Sequence, residues 1–379
     1  MKTQLAAACA KSSKAGPSLR EALPEDYEQI ASIEARYGLA AKSYEEWCHL
    51  HLTNPVRYES DPPAPVGWVI ESGDGRIVGS VGNIVLPYEL GGRRIRAGTG
   101  RALVVEPAYR SLSLLLLDRL MHRPGVELFL TNAITPASAP SFDALGCARV
   151  PAGMWDRSVF WITHYRGFMA SFLARSHAVA ARQLSYPLAA AAFLKERLAR
   201  RRTHVTDIEV QWCQGFDDRF EDFWEHLRNT KPHVLLADRS RDVLEWHFRH
   251  AMRKKQLWIA AAIDGPRIAA YALFDQRDNA SFGLKRVRLV DFQSRDTTGG
   301  LLLPLLSWAI RKCRDEGIHM LESVGAPPGK EEWIAGCAPH QRKLTAWTYV
   351  YQASTPYLAE CLRDPSAWDP TLFDASASL

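Results

Sequence analysis

The chain has 379 residues, of which 47% are hydrophobic and 23% are charged, proportions typical of a folded globular protein. Its length gives room for two cores of ordinary domain size, at ~100–200 residues each. The net charge of +5 is too small to indicate a DNA-binding protein, so no DNA partner is expected. No apolar run approaches the ~20 residues that a membrane-spanning helix needs, so such a helix is not expected either.

The seven cysteines are scattered, with neither a CxxC pair nor histidine partners at the spacing of a zinc site. Such a set is typical of buried thiols in a reducing cytoplasm, so we expect a cytoplasmic protein without a bound metal. The apolar stretch at residues 5–10 is too short for the core of a signal peptide. Residues 1–17 are therefore predicted to be a disordered tail.

Two similar series of elements lie about 190 positions apart in the sequence. An apolar run beginning at Trp68 reaches Asp74-Gly75, and one beginning at Trp258 reaches Asp264-Gly265. Asp-Gly between two apolar runs predicts a β-hairpin, because it tolerates the positive φ of a tight turn. Each hairpin is followed by a strand that ends in an acid, a leucine-rich helix, a further strand and an aromatic strand. These three strands lie at 102–106, 127–132 and 158–162 in the first series, and at 287–291, 320–324 and 347–351 in the second. This repeated order predicts a duplicated domain.

The repeat sets the expected domain boundaries. We expect the tail at 1–17, a first domain at 18–163, a basic helical linker at 164–205, a second domain at 206–355 and a C-terminal tail at 356–379. Residues 151–204 carry nine Lys/Arg against two acids. Cations at the end of a packed helix account for this excess, and peripheral contact of residues 186–202 with an anionic membrane is the alternative.

The order of elements resembles the GNAT acyl-CoA N-acyltransferase superfamily. The residues that carry the resemblance are Leu103-Val-Val-Glu-Pro-Ala-Tyr-Arg110, the leucine-rich helix after them, Asn132, Ser138 and the segment 142–147. The resemblance implies an α/β fold of two GNAT-like domains, each a mixed, mostly antiparallel sheet flanked by helices.

The resemblance also implies a donor site for acyl-CoA, bound as co-substrate with no permanent cofactor. A diphosphate needs backbone N–H groups at a helix N-terminus, which the loop after the fourth strand would supply. The implied CoA-binding residues are Val104, Val105, Arg110, Ser111, Ser113, Asn132 and Ser138. Ser113 and Leu115 stand where the family pattern has a glycine and a small residue, so the loop either binds the diphosphate or caps a core helix.

Transfer to an amine needs a base for the amine and an acid for the thiolate. Glu106, at the end of the presumed fourth strand, is the implied base, with capping of the next helix as the alternative. Phe142 stands where many family members carry the tyrosine that acts as acid, and Tyr109 is the possible substitute. In the second series, Asp291 corresponds to Glu106. Cys147 is interpreted as a buried thiol rather than a nucleophile, because no His-Asp pair is positioned for it.

These observations predict an N-acyltransferase that moves an acyl group, expected to be acetyl, from acyl-CoA to a small-molecule amine. An amino sugar or envelope precursor is a possible acceptor. One alternative is a Fem-type transferase that uses aminoacyl-tRNA, whose phosphates the basic central segment would contact. The other is a catalytically inactive GNAT-like binding module, which the missing glycines and tyrosine favour. The sequence does not predict the oligomeric state.

Overall fold

The computed structural model describes residues 16–175, 208–296, 299–325, 338–344 and 348–379. The strands of the first half are β1 (Ser18–Glu21), β2 (Gly67–Glu71), β3 (Ile77–Leu90), β4 (Arg93–Val105), β5 (Leu128–Ile134), β6 (Ala148–Arg149) and β7 (Arg157–Ile162). Those of the second half are β8 (Glu209–Cys213), β9 (Leu236–Ala237), β10 (Leu257–Asp264), β11 (Arg267–Gln276), β12 (Arg286–Ser294), β13 (Met320–Val324), β14 (His340–Lys343) and β15 (Thr348–Ala353). The helices are α1 (Tyr27–Arg36), α2 (Tyr44–His51), α3 (Ser113–Met121), α4 (Ala139–Ala144), α5 (Tyr165–Arg175), α6 (Asp218–Thr230), α7 (Arg241–Arg253), α8 (Leu302–Asp315) and α9 (Pro356–Cys361).

Both predicted hairpins are present. β2 and β3 pair antiparallel through a turn in which Gly75 has φ +82°, and β10 and β11 pair through a turn in which Gly265 has φ +58°. Glycine reaches this left-handed region without a steric penalty, which is why the Asp-Gly signal located both turns. Phe216, Phe220, Phe223 and Leu227 recur in the sequence as a phenylalanine stripe at the spacing of one helical face, and α6 buries the last three of them.

The described residues fall into two compact units. The first unit holds residues 16–84 and 100–124, and the second holds 85–99 and the described residues from 125 onward. The expected boundaries themselves stay a prediction.

In the first unit, helices cover two faces of a sheet. Its strands are β1, β2 and the parts of β3 and β4 that belong to this unit, in that order. Val69 packs with Ile30 of α1 and Trp47 of α2 in one apolar cluster. The neighbouring Trp68 points to the opposite face, because side chains alternate along a strand. α3 buries Leu116, Leu117 and Leu120.

The second unit holds a complete second sheet. Its strand order is β14-β7-β13-β12-β11-β10-β8, with β12 and β13 parallel and the other pairs antiparallel. α8 packs on this sheet and buries Leu302, Leu305 and Ala309. The same unit contains the remaining parts of β3 and β4, followed in order by β5, β15 and β6, with β9 paired to β3. The mixed sheets flanked by helices confirm the predicted fold class.

The two aromatic strands exchange places. β7, the last strand of the first series, lies between β13 and β14 of the second series. β15, the last strand of the second series, lies between β5 and β6 of the first. The sequence located both strands but did not predict their exchange. Either strand can pair with the edge of either sheet, because both edges present the same pattern of backbone hydrogen-bonding groups.

The C-terminal segment is part of the core of the second unit, although its sequence reads as an irregular tail. Trp368 and Phe373 are buried, as expected from their aromatic character, and so are Thr371, Leu372 and Asp374 between and beside them.

The segment is held by a buried charge network around Arg239. This guanidinium binds both carboxylate oxygens of Asp291, at 2.9 and 3.1 Å, and reaches Asp374 at 3.3 Å. Thr371 Oγ1 donates to Asp291 at 2.8 Å, and Tyr271 donates to the same carboxylate at 3.2 Å. Burial raises the pKa of Asp374, and the charge of Arg239 opposes that shift. A buried guanidinium needs such paired acids, since an isolated buried charge is unstable.

The basic linker is only partly described. α5 confirms a helix at the start of the predicted helical segment, whereas residues 186–202, for which membrane contact was considered, lie outside the described residues. Within the described part of the chain, no helix is long and apolar enough to cross a membrane.

The Arg239 network generates a stability prediction. Asp291→Asn keeps the shape of the side chain but removes its charge, and leaves Arg239 buried with one weaker partner. We expect the free energy of unfolding in urea to fall by about 3–5 kcal/mol. The matched control is Glu360→Gln, which breaks an exposed ion pair with Arg363 and should cost less than about 1 kcal/mol. Equal losses in the two variants would contradict this assignment.

Candidate active site

The carboxyl end of β4, in the first unit, has an irregular backbone. Ala102 has φ +54°, a left-handed conformation that is uncommon for a residue with a side chain. Such outliers are concentrated at bulges and functional sites. Beyond it, the N–H of Glu106 donates to the carbonyl of Val78 on β3 at 2.8 Å. Because the direction of backbone groups alternates, the N–H and C=O of Val105 point to the opposite edge of β4.

Val104 and Val105 therefore differ as candidate CoA-binding residues. Val104 is buried, and its carbonyl lies toward Gly79 of β3. Val105 is half-buried and presents its backbone on the edge away from β3. That edge is where an extended ligand could add main-chain hydrogen bonds to β4. At the other end of the strand, in the second unit, the pairing of β4 with β5 covers only Ala97↔Leu128 and Gly98↔Phe129.

The predicted diphosphate loop is a 3-10 turn, at Pro107–Leu112, that continues into α3. The N–H of Ser113 donates to the carbonyl of Arg110, and the Ser113 hydroxyl donates to the same carbonyl at 2.8 Å. Arg110 and Ser111 are exposed, and the Arg110 guanidinium has no partner within the described residues. Leu115 is 49% exposed, so its bulk lies in solvent and does not fill the interior beneath the turn.

The Glu106 side chain lies at the start of this turn but does not cap it. Its backbone is the N-cap, but its side chain makes no capping hydrogen bond. Instead, the carboxylate accepts a hydrogen bond of 2.8 Å from Arg36 at the end of α1. The Glu106 side chain is 15% exposed, so it is shielded but reachable. The hydroxyl of Tyr109, three residues on, forms no hydrogen bond with the residues that the structure describes.

Sequence reasoning missed a second contact between α1 and β4. Glu34 on α1 lies 3.6 Å from Arg101 on β4, and Arg101 also donates to the carbonyl of Ala40 at 3.0 Å. Burial raises the pKa of Glu34, and Arg101 opposes the shift. With the Arg36–Glu106 pair, these contacts fix the end of α1 and the following loop against the carboxyl end of β4. Glu34 and Arg101 are 67 positions apart in the sequence, so no local pattern predicts that they form an ion pair.

A small cavity of about 10 Å³, roughly the room of one water molecule, lies beside this pair. His51 and Ser80 line it, together with Glu34 and Arg101. His51 Nδ1 lies 3.0 Å from the carbonyl of Asn83, an acceptor, so Nδ1 carries the proton and Nε2 keeps its lone pair. The Ser80 hydroxyl is buried and has no partner within the described residues.

The remaining implied CoA-binding residues lie in the second unit and are engaged there. The side-chain amide of Asn132 donates to the carbonyl of Asp374, and its oxygen accepts from the N–H of Ala377 at 3.1 Å. Ser138 caps a turn with Thr135, with 3.0 Å between the two hydroxyls. Phe142, at the family's tyrosine position, is buried and stacks on Phe129 with 6.2 Å between ring centroids.

In the second series, the corresponding place is occupied by the protein's own chain. β12 and β13 pair as far as Leu289↔Ser323 and then separate. Beyond that point, the N–H of Phe373 donates to the carbonyl of Val290 at 3.1 Å, and Thr371 binds Asp291. The space that remains is about 20 Å³, lined in part by Thr371 and Leu372, which leaves no room for a pantetheine chain.

Two further residues have structural roles. Arg295, which follows β12, donates to the carbonyls of Ile268 and Asp222 and covers the ring of Phe223. Burial raises the pKa of the Cys147 thiol to about 12, so the thiolate needed for nucleophilic attack is scarce at neutral pH.

No family model and no curated protein matches the sequence. Solved structures do match its fold. A GCN5-related N-acetyltransferase from Kribbella flavida aligns with a TM-score of 0.53 and 13% identity, over 89% of this chain and 71% of that one. The counterpart from Anabaena variabilis gives 0.53 and 12%, over 89% and 73%. N-myristoyltransferase from Saccharomyces cerevisiae with bound myristoyl-CoA gives 0.56 and 10%, over 89% and 80%. At these identities the likeness is one of fold, and the predicted GNAT fold is confirmed.

The cavity beside β4 generates a pH prediction. Burial lowers the pKa of His51 to about 4, against 6.5 in an unfolded chain. Between pH 6.5 and pH 4, His51 is protonated in the unfolded chain but neutral in the folded protein. The free energy of unfolding therefore decreases as the pH falls through this range. Between pH 7.5 and pH 5 this contribution amounts to roughly 2 kcal/mol.

Denaturation in urea at several pH values measures this contribution. His51→Gln should flatten the fall in unfolding free energy, whereas His122→Gln, which alters an exposed histidine, should leave it unchanged. A variant His51→Gln with the same pH dependence as the original protein would rule out this histidine as the cause.

Proposed function

We propose that the protein is an acyl-CoA-dependent N-acyltransferase whose donor site lies at the carboxyl end of β4 and the start of α3. The observation that carries the proposal is Glu106, a shielded but reachable carboxylate that directly follows β4, a strand with a left-handed residue at Ala102, in a GNAT fold. A carboxylate at that place suits deprotonation of an amine that attacks a thioester.

The donor would bind by extending along the free edge of β4. The backbone of Val105 would pair with the amides of pantetheine, as an added strand pairs with a sheet edge. The exposed guanidinium of Arg110 would contact the diphosphate, with the Ser111 hydroxyl beside it. The N–H of Ser113 already donates within the turn, so the diphosphate would depend more on side-chain donors than in a glycine-rich loop.

The chemical step transfers one acyl group and moves two protons. The amine nitrogen attacks the thioester carbonyl carbon, the C–N bond forms, the C–S bond breaks, and CoA leaves as the thiolate. Glu106 takes the proton from the amine, while Arg36 holds the carboxylate in place. The thiolate takes its proton from Tyr109, whose hydroxyl is not engaged within the described residues, or from solvent.

The second series is assigned a structural role in this proposal. Asp291 corresponds to Glu106 in sequence order, but its side chain has no exposed surface and is bound by Arg239 and Thr371. Segment 371–374 lies where a donor would extend along β12. One chain should therefore bind one acyl-CoA. We propose acetyl as the transferred group and a small amine, such as an amino sugar or an envelope precursor, as the acceptor.

Calorimetric titration with acetyl-CoA and with a long-chain acyl-CoA tests the donor class. We expect one site per chain. Arg110→Glu should weaken binding about tenfold or more, because it replaces a charge-assisted contact with repulsion. Arg119→Glu, which alters an exposed arginine on α3, is the matched control and should bind normally. Absence of saturable binding by either donor would exclude this function and favour an inactive binding module.

A kinetic test isolates the role of Glu106. Glu106→Gln removes the base but keeps the size of the side chain, so acetyl-CoA should bind as before. Turnover, measured as release of free CoA thiol in the presence of a panel of amines, should fall about 10²–10⁴-fold. Retention of full turnover in this variant would remove Glu106 from the mechanism while leaving donor binding in place.

A further inference from the structure

The second unit contains a larger cavity that the proposed function does not use. Its volume is about 150 Å³, and it lies at the amino ends of β12 and β13, away from the end where those strands separate. It is lined by Phe160, Phe168, Ser171, Phe172, Arg175, Asn279, Phe282, Leu284, Arg286, Met320 and Arg342.

The walls of this cavity are aromatic. Four phenylalanines contribute, and Phe160 stacks on Phe168 with 5.9 Å between ring centroids. Phe172, on α5, is 57% exposed. An apolar cavity of about 150 Å³ is large enough to hold a benzene ring. The space therefore suits one planar apolar ring.

One side of the cavity is strongly basic. Arg286 and Arg342 both bind Glu322, which is fully buried, so two guanidiniums share one carboxylate. The Nη2 atom of Arg286 and the Nε and Nη1 atoms of Arg342 make no hydrogen bond within the described residues. Arg175 is exposed and likewise has no partner there. No acid lines the cavity among the described residues, so its charge suits an anion.

A neutral acceptor completes the lining. The side-chain oxygen of Asn279 is buried and has no hydrogen-bond partner within the described residues. Leaving a buried carbonyl oxygen unsatisfied costs about 1–3 kcal/mol, and a donor on a ligand would remove that cost.

We propose that this cavity binds a small aromatic carboxylate that carries a hydroxyl group. The ring lies among the phenylalanines, the carboxylate pairs with the unused guanidinium donors, and the hydroxyl donates to Asn279. The arginines disfavour neutral aromatic molecules, and the aromatic walls disfavour small inorganic anions. Together with the acceptor on Asn279, they define the class of ligand. None of the residues that line this cavity belongs to the proposed donor site, so its ligand is a second one, distinct from acyl-CoA.

Titration with 4-hydroxybenzoate, followed by calorimetry and by saturation-transfer NMR, tests the proposal. We expect saturable binding of 4-hydroxybenzoate to the full-length protein, with at least tenfold weaker binding of 4-hydroxybenzamide, its uncharged analogue. Arg175→Glu should weaken the binding of 4-hydroxybenzoate about tenfold or more. Phe172→Ala should have the same effect, because it removes one of the side chains that contact the ring. Both side chains are exposed, so the fold should survive, which circular dichroism would check.

The controls are matched by residue type and exposure. Arg249→Glu on α7 and Tyr357→Ala on α9 alter exposed side chains elsewhere and should leave the affinity unchanged. Equal affinity for the acid and the amide, equal weakening in the controls, or no saturable binding would overturn the proposal. Acetyl-CoA titration of Arg175→Glu keeps the two proposals apart, because that variant should bind acetyl-CoA normally.

Discussion

The buried pairing of Arg239 with Asp291 and Asp374 is the interaction on which the structural difference between the two series of elements depends. A guanidinium that is 2% exposed must be neutralised within the protein, and two carboxylates do so. One belongs to β12 and the other to the C-terminal segment, so the network holds that segment beside β12. The place where β12 and β13 separate is thereby closed by the protein itself.

The end of β4 has the opposite character. Its acid, Glu106, is paired with an exposed arginine rather than a buried one, and the turn after it presents Arg110 and Ser111 to solvent. Two strands that occupy corresponding places in the sequence repeat have thus acquired different environments. The Asp291 side chain is enclosed in the core and bound by Arg239, whereas the Glu106 side chain is partly exposed.

The sequence predicted those parts of the fold that are encoded locally. Asp74-Gly75 and Asp264-Gly265 identify both hairpins because each turn requires a positive φ that few residue pairs adopt. The phenylalanine stripe of α6 was equally clear. The exchange of β7 and β15 could not be predicted, because which sheet a strand joins depends on edges that are distant in the chain. The burial of Thr371 and Asp374 could not be predicted for a similar reason. Polar side chains are expected at the surface, and these two are buried because they pair with Arg239, which is distant in the chain.

The site was predicted in part. Glu106 lies at the end of a strand, as expected, but its partner Arg36 and the neighbouring Glu34–Arg101 pair come from contacts that no local pattern records. The family resemblance implied Asn132 as a CoA contact, whereas its amide holds the backbone of residues 374 and 377. The predictions for Val105, Arg110 and Ser111 stand as proposals supported by their exposure or by the direction of their backbone.

Hydrogen–deuterium exchange in the presence of acetyl-CoA tests the central claim most directly, because it locates the donor as well as detecting it. The account predicts slower exchange in peptides that cover residues 103–113 and no change in peptides that cover 287–294 and 299–305. Protection at the second set, or at neither, would contradict the assignment of the open site to β4 and the closed site to β12.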